Sequence, residues 1–149
     1  MAVNKWDRHF MSLAKLSASM SKDPSTKVGS SIKGPDKRVL SLGYNGFPSD
    51  MSDDPELLLN REYKYKHIIH AEDNAIRFAL RSGSIPDGSV IYTTLPPCYT
   101  CYKLIIASGI RKIVTVKPSE DTLKRWSEEW SKVQHDAVLD NCEISYLDE

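Results

Sequence analysis

The sequence predicts an α/β fold, a mixed sheet of about five strands covered by helices on both faces. Three observations carry this expectation. Short runs rich in Val, Ile and Thr alternate along the chain with longer stretches whose apolar residues recur at helical spacing. That alternation is the pattern of a sheet sandwiched between helices. At 149 residues the chain makes a single domain, 1–149, large enough for a real core, and it contains no apolar run of membrane length.

Each element follows from local signals. Trp6, Phe10, Leu13, Ala14 and Leu16 predict a helix over 4–20 that packs by one face. Residues 21–27 make a turn, 28–32 a short strand, Gly34-Pro-Asp-Lys a hairpin turn and 39–44 its partner strand. Asn45-Gly-Phe-Pro ends that strand. Residues 49–56, with Asp50, Asp53, Asp54 and Glu56, read as an exposed loop, and 56–66 as a short helix leading to His70. Residues 74–81 read as a helix with Ala75, Ile76, Ala79 and Leu80 on its apolar face. A strand over 89–94, a helix over 98–108 and a strand over 112–116 follow. Ser119 is placed to cap a long helix in which Leu123, Trp126, Trp130, Val133 and Ala137 step by three or four as a core-facing stripe. Residues 142–146 form the last strand.

Chemistry concentrates in two stretches, His70-Ala-Glu72 and Pro97-Cys98-Tyr-Thr-Cys101. One histidine and two cysteines make three zinc ligands and leave a fourth tetrahedral position for water, where a structural site would place a protein group. Glu72 projects onto the apolar face of its helix, which raises the proton affinity of its carboxylate and suits a base. His70, two residues earlier, would point about 200° away inside a regular helix. It can share a metal site only from the helix entrance, on non-helical backbone. Cys98 and Cys101 lie on the first turn of the next helix, where the N-terminus favours the thiolate that zinc binds. Two other arrangements fit the cysteines alone: a thioredoxin-like redox pair, and a closed zinc site completed by Cys142, His67 or His135. Neither explains an inward glutamate. His9, His67 and His135 have no partner pattern and read as surface or packing residues.

Twenty basic and twenty acidic residues cancel, so no general polyanion-binding field is present. With three cysteines and no signal-peptide core, a reducing cytoplasmic setting is expected.

Taken together, Ser21-Lys-Asp-Pro-Ser-Thr-Lys-Val-Gly, Gly43-Tyr-Asn-Gly-Phe-Pro, His70-Ala-Glu-Asp-Asn-Ala-Ile, Pro97-Cys-Tyr-Thr-Cys and Leu104-Ile-Ile-Ala-Ser-Gly-Ile resemble the deoxycytidylate (dCMP) deaminases. These belong to the zinc-dependent cytidine and deoxycytidylate deaminase superfamily. The zinc motifs are shared with tRNA adenosine, guanine and riboflavin-pathway deaminases; Gly-Tyr-Asn-Gly-x-Pro and the asparagine in His-Ala-Glu-x-Asn-Ala single out the nucleotide enzymes. The resemblance implies a three-layer cytidine-deaminase-like fold and one catalytic zinc on His70, Cys98 and Cys101. It implies conversion of dCMP to dUMP for thymidylate synthesis, with Glu72 taking a proton from the attacking water, delivering it to N3 of the ring, and later helping to expel the exocyclic amine as ammonia. It implies a homo-oligomer, hexamer or tetramer, activated by dCTP and inhibited by dTTP. Relatives often carry a cysteine where this chain has Met51, in a region linked to a second, structural zinc, and none is expected here. A tRNA-editing deaminase would want a basic rim, which a neutral chain with an acidic loop after Asn45 lacks.

For the substrate, Asn45 sits at a glycine-flanked turn and is expected to reach a sugar hydroxyl or base edge; a turn asparagine bonding its own backbone reads equally well from the residues. Val28 would pack on the pyrimidine. Lys22, Ser25, Thr26 and Lys27 gather hydroxyl and ammonium groups for the 5'-phosphate. Asn74, Arg77, Phe78 and Arg81 share the side of the Glu72 helix opposite its apolar face. A phenylalanine flanked by arginines there points to a subunit contact, and the resemblance implies that an effector triphosphate, with magnesium, binds near such a contact.

Overall fold

Strand order fixes where the site can lie. The computed structural model describes residues 3–49, 51–52 and 54–148. Helix α1 (Lys5–Ala18) precedes the hairpin β1 (Gly29–Lys33) and β2 (Val39–Tyr44). Helices α2 (Pro55–Leu59), α3 (Arg61–His67) and α4 (Ala71–Ser82) lead to β3 (Val90–Thr93). The chain continues through α5 (Tyr99–Ala107), β4 (Lys112–Val116), α6 (Glu120–Leu139) and β5 (Glu143–Leu147). The five strands form one sheet in the order β2-β1-β3-β4-β5. The first three are antiparallel, and β3, β4 and β5 run parallel, so α5 and α6 serve as the crossovers that parallel neighbours require.

Strand side chains alternate between two cores. Ile32, Ile91 and Ile113 face Ala75, Ile76 and Ala79 of α4, Tyr102 and Ile105 of α5, and Trp130, Val133 and Ala137 of α6. On the other face Val90, Tyr92, Val114 and Leu147 pack under Phe10, Met11 and Ala14 of α1. Three helices therefore cover one face and one helix the other, which makes the three layers. Two glycines let helices lie flush on the sheet. A Cβ on Gly29 would stand 1.8 Å from the Ala14 carbonyl oxygen of α1, and one on Gly43 would stand 2.5 Å from that of Ala71 in α4. Among the described residues, no helix is long and apolar enough to cross a membrane.

Several expectations need correction. The predicted 56–66 helix is two helices, broken at Asn60, whose extended backbone ends α2 and whose side chain accepts from the Tyr63 amide at 3.1 Å to cap α3. Pro55, assigned to the loop, is already helical, with Asp54 as its cap; Asp50 and Asp53 of that loop lie outside the described residues. Leu16, Leu80 and Trp126 are more than half exposed. Leu16 falls off the Phe10–Ala14–Ser17 stripe of α1. Leu80 lies beyond the narrow seam that close contact with Gly43 leaves on α4. Trp126 is exposed although Leu123, a turn before it, packs partly buried against the core and Trp130, a turn after it, is buried.

Candidate active site

The site forms where two helices start side by side. His70 is the N-cap of α4, with extended backbone (φ −70°, ψ 155°), as the motif geometry required. The residue before it is pinned: Ile69 exchanges backbone hydrogen bonds with Gly46 at the end of β2, at 2.7 and 3.1 Å. Cys98 is likewise the N-cap of α5, and its sulfur accepts from the Cys101 amide at 3.4 Å. His70 Nδ1 lies 3.5 Å from Cys98 Sγ and 3.4 Å from Cys101 Sγ. A zinc ion at about 2.3 Å from sulfur and about 2.0 Å from nitrogen spaces tetrahedral nitrogen and sulfur donors about 3.5 Å apart. The three donors fit that ion. Among the described residues this is the one group of histidines, cysteines and carboxylates that could hold a metal, and it includes none of Cys142, His67 and His135. Cys142 is buried in the core, and His67 stacks on Tyr63 with ring centroids 3.9 Å apart.

The electrostatics separate the four groups. Glu72 is 4% exposed, and burial pushes its carboxyl up to about 7 against the opposing pull of its own helix amide and of His70. The two thiols share a proton. The hydrogen bond from Cys101, followed by those of His70 and the Cys101 amide, draws Cys98 down to about 4, while the same bond and burial push Cys101 up. His70 is raised, chiefly by its contact with the Cys98 sulfur. A metal taking both cysteines as thiolates would release the shared proton.

Helix α6 grips this site from outside the motifs. Glu129 accepts from the Tyr99 amide, the first of α5, at 2.7 Å; the Tyr99 hydroxyl donates to Asp136, and that of Tyr102 to Asp140 at 2.7 Å. Tyr99 and Tyr102 each directly follow a cysteine of the site, so three carboxylates hold its first turn. Sequence reasoning missed all three. Their spacing of seven and four on α6 was the available signal.

All of the expected substrate residues but Asn45 lie on one loop, 21–28, tied to the end of β2. Lys22, Ser25, Thr26 and Lys27 are exposed on it, and Val28 is half-buried at its end. Asn45 is buried, and its amide is fully engaged. Oδ1 accepts from the Val28 amide at 2.9 Å, and Nδ2 donates to the Thr26 carbonyl at 2.8 Å and to Asp23 at 3.4 Å. Its side chain thus ties the loop to the end of β2, one residue from the Gly46–Ile69 pairing that leads into His70. On α4, Phe78 and Arg81 are exposed, Arg77 pairs with Asp73, and Asn74 donates to the Tyr44 carbonyl at 2.9 Å.

Residues 4–117 match the family described as the cytidine and deoxycytidylate deaminase zinc-binding region. The chain belongs to that deaminase family. An uncharacterized deaminase in the luxG 3' region of Aliivibrio fischeri is 42% identical over 145 residues, covering 97% of this chain and 95% of that one. The deoxycytidylate deaminase of Mus musculus is 39% identical over 117 residues, 74% of this chain but 64% of that protein, so the match spans just under two thirds of the mouse enzyme. The crystal structure of the dCMP deaminase of cyanophage S-TIM5, in complex with dCMP and dUMP, superposes with a TM-score of 0.73 over 99% of this chain and all of that one. At 23% identity this likeness speaks for the deaminase fold.

Proposed function

We propose that this deaminase converts dCMP to dUMP and ammonia by zinc-dependent hydrolysis, supplying dUMP for thymidylate synthesis in the cytoplasm. The observation that carries the reading is the juxtaposition of three metal donors, spaced for zinc and lacking a fourth protein ligand among the described residues, with a buried carboxyl held near neutrality. A carboxyl poised at about 7 can both take and return a proton at working pH. His70, Cys98 and Cys101 would hold the ion, which when bound supplies the Lewis acidity that makes water a nucleophile near neutral pH. Glu72 accepts the proton of the attacking water, delivers it to N3 of the cytosine ring as C4 becomes tetrahedral, and then helps the amine leave as ammonia. Its burial keeps that proton local. Val28 covers the pyrimidine face. The hydroxyl and ammonium groups of Lys22, Ser25, Thr26 and Lys27 receive the 5'-phosphate, and Asn45 shapes the loop or exchanges its internal bonds for a substrate hydroxyl.

The same reading includes a homo-oligomer, activated by dCTP with magnesium and inhibited by dTTP. The exposed Phe78–Arg81 stripe of α4 supports a subunit contact there, since a part-exposed phenylalanine beside arginines suits an interface better than water. The test is ammonia release by zinc-loaded protein over dCMP, CMP, deoxycytidine, dCTP and tRNA. Fastest release from dCMP is expected. Release from tRNA but not from dCMP, or none from any of them, refutes the proposal.

A further inference from the structure

Two of the buried charges that the proposed chemistry does not use are paired with each other. Asp23 is 5% exposed and Lys64 4%, and Lys64 Nζ lies 3.2 Å from Asp23 Oδ1. Buried ion pairs are poor stabilisers, because desolvating both ions offsets their attraction, and an apolar pair of similar volume often does as well. What this pair does is join three segments. Asp23 Oδ1 also accepts from the backbone amides of Ser25 at 2.8 Å and Thr26 at 3.2 Å, and Oδ2 accepts from Asn45 at the end of β2. Lys64 reaches the Ser25 hydroxyl at 3.4 Å and projects from α3, whose last residue, His67, precedes His70 by three. The carboxylate therefore folds the 21–28 loop around itself, and the lysine anchors that loop to the helix feeding the metal site.

We propose that Lys64 and Asp23 are positioning residues for an anionic substrate group, fixing the shape of the 21–28 loop while presenting it without net negative charge. The inference rests on the functional reading above, which puts a 5'-phosphate on this loop. Asp23 holds the two amides well because it is charged, yet a lone carboxylate behind the loop would repel a phosphate. Lys64 cancels that charge from the buried side, so the loop keeps a charge-assisted turn without adding net negative charge behind the ligand.

The test uses the zinc-loaded 149-residue chain carrying Lys64→Met, and Lys64→Met combined with Asp23→Asn. The double variant keeps the amide-accepting oxygen and removes both charges. Zinc content and thermal melting establish folding, and calorimetry measures binding of dUMP and of deoxyuridine, which lacks the phosphate. In Lys64→Met the uncompensated carboxylate should weaken dUMP by about 10- to 50-fold, as expected for a unit charge acting across roughly 7 Å at an effective dielectric near 20. Deoxyuridine should weaken less than about threefold, because a neutral ligand feels no such repulsion. Amide exchange at Ser25 and Thr26 should accelerate by about tenfold or more as the loop loses its anchor. The double variant should recover dUMP binding to within about fivefold of the parent, since the net charge is again zero.

Equal weakening of both ligands, or unchanged exchange at Ser25 and Thr26, overturns the inference. If Lys64→Met fails to fold, a double variant that folds but does not bind dUMP within that range overturns it as well. A parent protein that neither binds dUMP nor releases ammonia from dCMP removes the functional reading. Amide exchange then decides the anchoring on its own, and the charge-masking half of the inference falls.

Discussion

Replacing Gly43 with alanine should damage the active site more than the fold, and the structure sets the scale. The added Cβ would lie 2.5 Å from the Ala71 oxygen, 2.6 Å from the Ala75 nitrogen and 3.0 Å from its Cα, where ordinary contact begins at 3.4 Å. All three atoms are backbone of α4, so no side chain can swing aside, and the helix must retreat by several tenths of an ångström up to about 1 Å. His70 and Glu72 ride on the end of α4 that is pushed. Cys98 and Cys101 are held separately by α5 and its contacts with α6, so the displacement opens one half of the site against the other. Overpacking of this kind costs about 1–3 kcal/mol, a loss of roughly 2–4 °C in melting temperature per kcal/mol for a chain of this size. A misplacement approaching 1 Å costs up to about 100-fold in turnover. The control is Met11→Ala on the opposite face, where a fully buried side chain lost from α1 should cost about 2–5 kcal/mol while leaving kcat per bound zinc unchanged. Both variants are measured for melting, zinc retention against a chelator, and ammonia release from dCMP. If Gly43→Ala keeps kcat within about twofold of the parent, or Met11→Ala loses as much, the argument that sheet contact sets the position of Glu72 is wrong.

Glu72→Gln should lower turnover by about 100- to 10,000-fold while zinc stays bound. In protein stripped of metal, Glu72 titrates at about 7 when folded against a reference value of 4.5, so the stability it contributes is complete below pH 4.5 and is lost as pH rises through 7. The glutamine variant should therefore melt higher than the parent at pH 8, by at most about 3 kcal/mol, and equally at pH 4; no difference at pH 8 would contradict the burial argument. Cys98→Ser and Cys101→Ser should each lose zinc and activity, whereas Cys142→Ser should lose neither. Metal loss from Cys142→Ser would mean the fourth position is filled by protein. Phe78→Ala and Arg81→Glu should weaken subunit assembly in sedimentation and blunt the response to dCTP and dTTP; normal assembly and response in both would make the α4 stripe ordinary surface.

What the sequence reveals here depends on how local the cause is. Three residues and a spacing sufficed to place His70 at a helix entrance, because a metal donor and an inward glutamate two residues apart cannot both point inward from one regular helix. Strands 112–116 and 39–44 were legible from β-branched and turn residues, since backbone preference and burial agree there. Leu80 and Trp126 were misplaced because periodicity gives the direction of an apolar face, while its width depends on what covers it. Lys64 and Glu129 were invisible for a different reason. Each reads as a solvated surface charge, and its partner lies 41 residues away at Asp23 or 30 away at Tyr99. Asn45 was recognised as important, yet only the folded loop shows its amide already bonded on both ends.

The hold of α6 on α5 bears on how far the chain can be shortened. Every motif of the metal site ends by Cys101, and the family match ends at residue 117. A polypeptide stopped there would carry each donor and the buried Glu72, and by inspection of its motifs would look complete. It would lack Glu129, Asp136 and Asp140, which fix the turn between the two cysteines, and it would leave β4 as an unpaired edge next to an uncovered Ile113. The contacts that hold this site thus run past its signature by a helix and a strand.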